Sequence, residues 1–208
     1  MSLRSAVSFL TPLGGASAPG PATLDWFWLV GAGLGGAVGG VWWASAQAWP
    51  RPLAAGVAVT ADLALTGMLH FDGLLDSADG LLPAVSRSQR LQIMSEPDVG
   101  AFAVGTGTVA LLLRWAAMWV LRPAVLLVAG LWCLSRTAMA LGARTQPYAR
   151  ADSGGGLATA FAGQKRLFPA LLGAGVAVGA ACLWRPLAGA AAVAAAALAG
   201  TAVIVLAR

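Results

Sequence analysis

Runs of about twenty apolar residues fill most of this chain, and that is the length a helix needs to cross the hydrocarbon core of a bilayer. The runs cover roughly 26–49, 53–69, 101–121, 123–143, 167–184 and 186–207. Pro50-Arg51-Pro52, Arg122-Pro123 and Arg185-Pro186 mark tight turns between them, because proline ends one helix and readily opens the next. Only 10% of the 208 residues are charged, against about a quarter in a soluble domain. The chain therefore reads as all-α, a polytopic integral membrane protein of about six transmembrane helices (five to seven), in a single membrane catalytic domain over 1–208. The net charge of +5 is scattered between apolar runs, which excludes a nucleic-acid surface.

The first twenty residues mimic a signal peptide, but the apolar stretch at 6–10 is too short, and the segment reads as retained. Cys133 and Cys182 lie within apolar runs as small hydrophobes. Gly31, Gly33, Gly35, Gly36, Gly39 and Gly40 allow neighbouring backbones to approach the first span, and a homo-oligomer is permitted but not required. Trp26, Trp28, Trp42, Trp43 and Trp49 sit toward its ends, as interfacial aromatics do. With six spans, one side holds Arg4, Arg87, Arg90, Arg144, Arg150, Lys165, Arg166 and Arg208, and the other only Arg51, Arg122 and Arg185. The positive-inside rule then puts both termini and both long polar loops, 86–98 and 144–166, on the cytoplasmic side of a bacterial inner membrane.

Six of the eight acidic residues fall between Asp62 and Asp98. Three share one phrase, His70-Phe-Asp72-Gly-Leu-Leu-Asp76-Ser-Ala-Asp79-Gly80. As a helix, the spacing i, i+4, i+7 puts Asp72, Asp76 and Asp79 within roughly 60° of one another. Like charges on one face call for a counter-ion, and an oxygen-only set suits Mg²⁺. Glu96 and Asp98 are candidates for further ligands or a general base, and His70 for a catalytic group or an interfacial hydrogen-bonder. Arg136, Arg150 and Lys165, with Tyr148 beside them, are candidates to grip a pyrophosphate. Carboxylate-held Mg²⁺ with arginines nearby is the equipment of phosphoryl transfer.

Other readings compete. Asp76-Ser-Ala-Asp79-Gly80 is the D-x-x-D-G opening of CDP-alcohol phosphotransferases, although the Ala-Arg that usually follows is missing. A transporter would use Asp62, Arg114 and Arg136 as intramembrane charges. In blander terms, Asp62 hydrogen-bonds to a neighbouring helix and Arg114 snorkels or pairs. Gly154-Gly155-Gly156 lacks the helix start and lysine of a phosphate loop.

Taken together, the motifs resemble the cobalamin-5'-phosphate synthase (adenosylcobinamide-GDP ribazoletransferase) family. The resemblance runs in order through Phe9-Leu-Thr-Pro12, Trp26-Phe-Trp-Leu-Val-Gly31, Thr66-Gly-Met-Leu-His70 continuing through the acidic phrase to Gly80, Arg90-Leu-Gln-Ile-Met94, Val99-Gly-Ala-Phe102, Leu134-Ser-Arg136 and Pro147-Tyr-Ala-Arg150. It implies a Mg²⁺-dependent membrane enzyme joining adenosylcobinamide-GDP to α-ribazole or its 5'-phosphate, with release of GMP. Asp72, Asp76 and Asp79 would hold the metal, and Arg136 and Arg150 the pyrophosphate.

Overall fold

The computed structural model describes residues 2–149, 157–161 and 166–206, and among these every regular element is helical. In chain order the helices are α1 (Ser2–Leu10), α2 (Phe27–Ala48), α3 (Arg51–Leu65), α4 (Leu69–Leu81), α5 (Arg87–Ile93), α6 (Ala101–Val120), α7 (Val125–Thr145), α8 (Phe168–Trp184) and α9 (Pro186–Leu206). Short 3₁₀ turns occupy Pro12–Gly14, Pro21–Trp26 and Leu157–Phe161. Proline opens α3 and α9 at or near their first positions, as expected from the turn residues.

Among the described residues, four helical stretches are long and apolar enough to cross a bilayer: Pro21–Ala48, Ala101–Val120, Val125–Thr145 and Pro186–Val203. A fifth crossing exists if α3 and α4 count as one, and these two meet at 89°. The second predicted run, 53–69, is therefore corrected: the helix stops at Leu65 and turns a corner before the acidic phrase begins. Gly67 and Met68 both take left-handed backbone, with φ of +56° and +61°. Glycine adopts that conformation freely, whereas a methionine there is held by its surroundings. The fifth predicted run forms α8, an apolar helix that at 17 residues is shorter than the four candidate crossings.

The tightest packing is between α2 and α7, and glycine explains it. On one face of α2, a Cβ at Gly31 would lie 2.7 Å from the Trp132 carbonyl oxygen, at Gly35 2.6 Å from that of Val128, and at Gly39 2.8 Å from Val125 Cα. Gly33, Gly36 and Gly40 face open space, so only half of the glycine set serves the approach. Gly35→Ala is expected to lower the detergent melting temperature through a backbone clash of about 1–3 kcal/mol. Gly36→Ala should hold it or raise it slightly, since alanine favours a helix by up to about 1 kcal/mol.

Around that seam Val38, Trp42, Ala54, Ala55, Ala58, Met118, Leu127 and Ala181 are buried together. Trp42 is only 2% exposed, so it belongs to the core and not to the interfacial aromatics, while Trp43 and Trp49 are half exposed. A second cluster gathers Ala6 and Leu10 of α1 with Phe27, Leu34, Ala140 and Phe161. Phe9 stacks on Phe27 there and meets Phe161 edge-on. The first residues are thus packed structure. Cys133 is free and buried, its thiol donating to the Gly173 carbonyl at 3.3 Å.

Candidate active site: a carboxylate pocket at the α4 corner

Past the corner the acidic phrase forms α4, with Asp72 in its first turn. A carboxylate there is favoured by the partial positive charge at a helix start. The expected helical spacing holds, and burial increases along the face: Asp72 is exposed, Asp76 intermediate and Asp79 buried. The chain then reverses through α5. Ser86 and Gln89 close a reciprocal capping box at its start, Gln89 Oε1 accepting from the Ser86 N–H at 3.1 Å. Beyond α5 the loop 94–99 lies over α4. The resulting pocket, about 200 Å³, is lined by Asp72, Asp76, Asp79, Glu96 and Asp98, with Leu75, Met94 and Ala103. Five carboxylates from two segments thus share one cavity.

The donor chemistry suits a hard divalent cation. With side chains as they stand, no three acids among the described residues converge on one point. Asp72, Glu96 and Asp98 are exposed and have rotamer freedom to do so. Glu96 accepts from Gln92 Nε2 at 3.1 Å. Asp79 is placed differently, since both its oxygens accept backbone N–H groups, from Gly100 at 2.6 Å and from Ala103 at 2.9 Å.

His70 does not line this pocket. Two residues before Asp72 it points about 200° away around the helix, into a second cavity of about 90 Å³ with Asp62, Thr66, Phe71, Leu74 and Arg114. Its Nε2 is buried there without a hydrogen-bond partner. Asp62 anchors that interior region. Its Oδ2 accepts from Arg114 Nη2 at 2.7 Å and its Oδ1 from Trp132 Nε1 at 2.6 Å. The Arg114 guanidinium also stacks 5.1 Å from the centre of the Trp132 ring. The bland readings of these two residues, an acid bonded to neighbouring helices and a paired arginine, are the ones the structure bears out.

Arg136 belongs to the same interior region. It is 6% exposed, packs its stem where Gly31 leaves room, and donates from Nη1 to Ser135 Oγ at 3.1 Å. It is absent from the lining of the acidic pocket. Tyr148 is half-buried near the start of the second polar loop, and Arg150 and Lys165 lie outside the described residues. One contact ties the two polar loops together: Arg87 Nη2, at the start of α5, donates to the Ala149 carbonyl at 3.2 Å. The acid loop and the segment leading to Arg150 therefore share one end of the bundle.

One pairing escaped the sequence altogether. Arg144, counted only as an orientation anchor, is bonded to Asp25, 119 residues away, with its side chain 1% exposed. Nothing in the local sequence of either residue signals that partner.

A family model described as cobalamin-5-phosphate synthase matches residues 2–208. The chain belongs to that family. Among curated relatives, the adenosylcobinamide-GDP ribazoletransferase of Desulforamulus reducens is 35% identical over 190 residues, covering 88% of this chain and 75% of the relative. The protein of the same name from Chlorobaculum tepidum is 41% identical over 145 residues, covering 67% and 55%. That of Deinococcus radiodurans is 47% identical over 90 residues, covering 43% and 33%. The chain thus spans between a third and about half the length of several of the relatives it matches. No solved structure matches it. In this member of the family the acidic phrase lies on a helix of its own, set at 89° to the helix before it.

Proposed function

We propose that the chain is a membrane transferase that joins adenosylcobinamide-GDP to α-ribazole or its 5'-phosphate and releases GMP, a late step in cobalamin assembly. The observation that carries this reading is the family match along residues 2–208, within which five carboxylates line one pocket. In the reaction a ribose hydroxyl of the ribazole attacks the phosphorus attached to cobinamide, the new P–O bond forms, and the bond to GMP breaks. Asp72 and Asp76 on α4, with Glu96 and Asp98 across from them, are the residues that would hold Mg²⁺. Mg²⁺ bound there would neutralise the phosphate oxygens and the departing nucleotide. Glu96 and Asp98 are also exposed acceptors able to take the hydroxyl proton. Arg150, seven residues before the Leu157–Phe161 turn, and Lys165 are proposed to grip the diphosphate from the adjoining loop. Arg136 supports the site from inside the bundle, given its burial beside Asp62 and His70. The excess of basic residues on the two loops, joined through Arg87 and Ala149, supports a pocket opening to the cytoplasm.

The test is GMP release by detergent-purified protein from adenosylcobinamide-GDP and α-ribazole, with Mg²⁺ and after chelation. Release that stops on chelation and returns with Mg²⁺ is expected. In vesicles, release is expected only when the cytoplasmic face is turned toward the substrates. Folded protein that releases no GMP with both substrates and Mg²⁺ present would overturn the reading.

A further inference from the structure

Asp79 is the most buried of the three acids on α4, at 9% exposure, and its carboxylate is already engaged. Its two acceptor bonds come from Gly100 and Ala103, which are the N-cap and third residue of α6. These are donors that a helix leaves unpaired at its start. Position 100 is glycine and brings no capping side chain. From 21 residues away Asp79 does what an aspartate at the cap would do in place. Its charge also faces the positive end of α6.

The neighbouring glycines make room for this arrangement. A Cβ on Gly100 would lie 2.7 Å from Asp79 Oδ1 and 2.9 Å from its Cγ. A Cβ on Gly80 would lie 2.5 Å from Met94 Cε. The loop 94–99 is therefore strung between two fixed points, Met94 lying on Gly80 and Gly100 held by Asp79. Glu96 and Asp98 sit between those points and face the pocket.

We infer that Asp79 is a positioning residue: by capping α6 across the corner it holds Glu96 and Asp98 opposite Asp72 and Asp76, and it is not itself a metal ligand. This rests on the transferase reading for its activity measurement only.

The experiment compares Asp79→Asn, Asp79→Ala, Gly100→Ala and the double variant Asp79→Ala/Gly100→Ala. Asparagine keeps one accepting oxygen and ranks with aspartate as a cap, so Asp79→Asn should lose less than about tenfold in GMP release. Its Mg²⁺ concentration for half-maximal release should move by less than about twofold, because no ligand is lost. Gly100→Ala removes no acid, yet it pushes the Asp79 carboxylate off the helix start. It should lose about a hundredfold, the scale on which a site misplaced by an ångström fails. The double variant should be no worse than the worse single, because both break the same contact. The same non-additivity is expected in melting temperature, measured in detergent without metal. Asp79→Asn as inactive as Asp79→Ala, with a Mg²⁺ requirement raised about tenfold or more, beside a near-normal Gly100→Ala, would overturn the inference. Additive losses in melting temperature would also overturn it. If the unaltered protein releases no GMP, the transferase reading falls and the melting cycle alone decides the role of Asp79.

Discussion

Asp72→Asn is expected to leave the detergent melting temperature unchanged and to lower GMP release by on the order of a hundredfold or more. Asp72 is exposed on the first turn of α4 and lines the carboxylate pocket, so the substitution removes charge without removing packing. Asparagine preserves the shape and one oxygen. It loses the anion that a hard cation seeks, and charge stabilisation by such a cation contributes several kcal/mol to a phosphoryl transition state. About 3 kcal/mol corresponds to roughly a hundredfold in rate. Asp76→Asn should behave alike in activity. Raising Mg²⁺ should recover part of the loss in either variant, which separates weakened metal binding from a lost base. Activity of Asp72→Asn equal to that of the unaltered protein would remove α4 from the proposed metal site.

The second large effect is on stability. Asp62→Ala strips the partner from Arg114 and from the Trp132 indole at once, inside the apolar bundle. Leaving one member of a buried ion pair alone costs about 3–5 kcal/mol. The Arg114 side chain is 33% exposed, which puts the figure at the lower end, about 3 kcal/mol. For a chain of this size that is a fall of roughly 10 °C in melting temperature. Adding Arg114→Met should restore part of it, because a paired apolar replacement leaves no stranded charge. A melting temperature unmoved by Asp62→Ala would mean that the pair does not hold α3 to α6 and α7, and would return these charges to a transport reading.

The residues differ in how far the sequence disclosed their work. The carboxylate face of α4 was legible because helical spacing alone decides it. The same spacing sets His70, two residues before Asp72, more than half a turn off that face, a step that naming it a catalytic candidate did not take. The corner was not. Thr66-Gly67-Met68 contains one glycine, but a left-handed methionine is imposed by packing and has no propensity signal. Which glycines of α2 seat α7 depended on the partner helix, although Gly31, Gly35 and Gly39 do share a four-residue spacing. The burial of Arg136, the Arg144–Asp25 pair and the Asp79 cap all depend on contacts distant in the chain, which one sequence cannot rank.

A protein that must present several charges where membrane meets water usually does so from a loop, and a loop leaves the distances between those charges loosely set. Here the 89° turn at Thr66–Met68 sets the charges on a rigid rod of their own. That rod lies alongside α6, with Phe71 and Leu75 against Gly107 and Asp79 at Gly100, like a ruler laid beside it. Its acids keep the 1.5 Å rise per residue of a helix, so Asp72 to Asp79 spans a fixed distance of about 10 Å. The distances between those charges are then set by the helix itself and not by a loop.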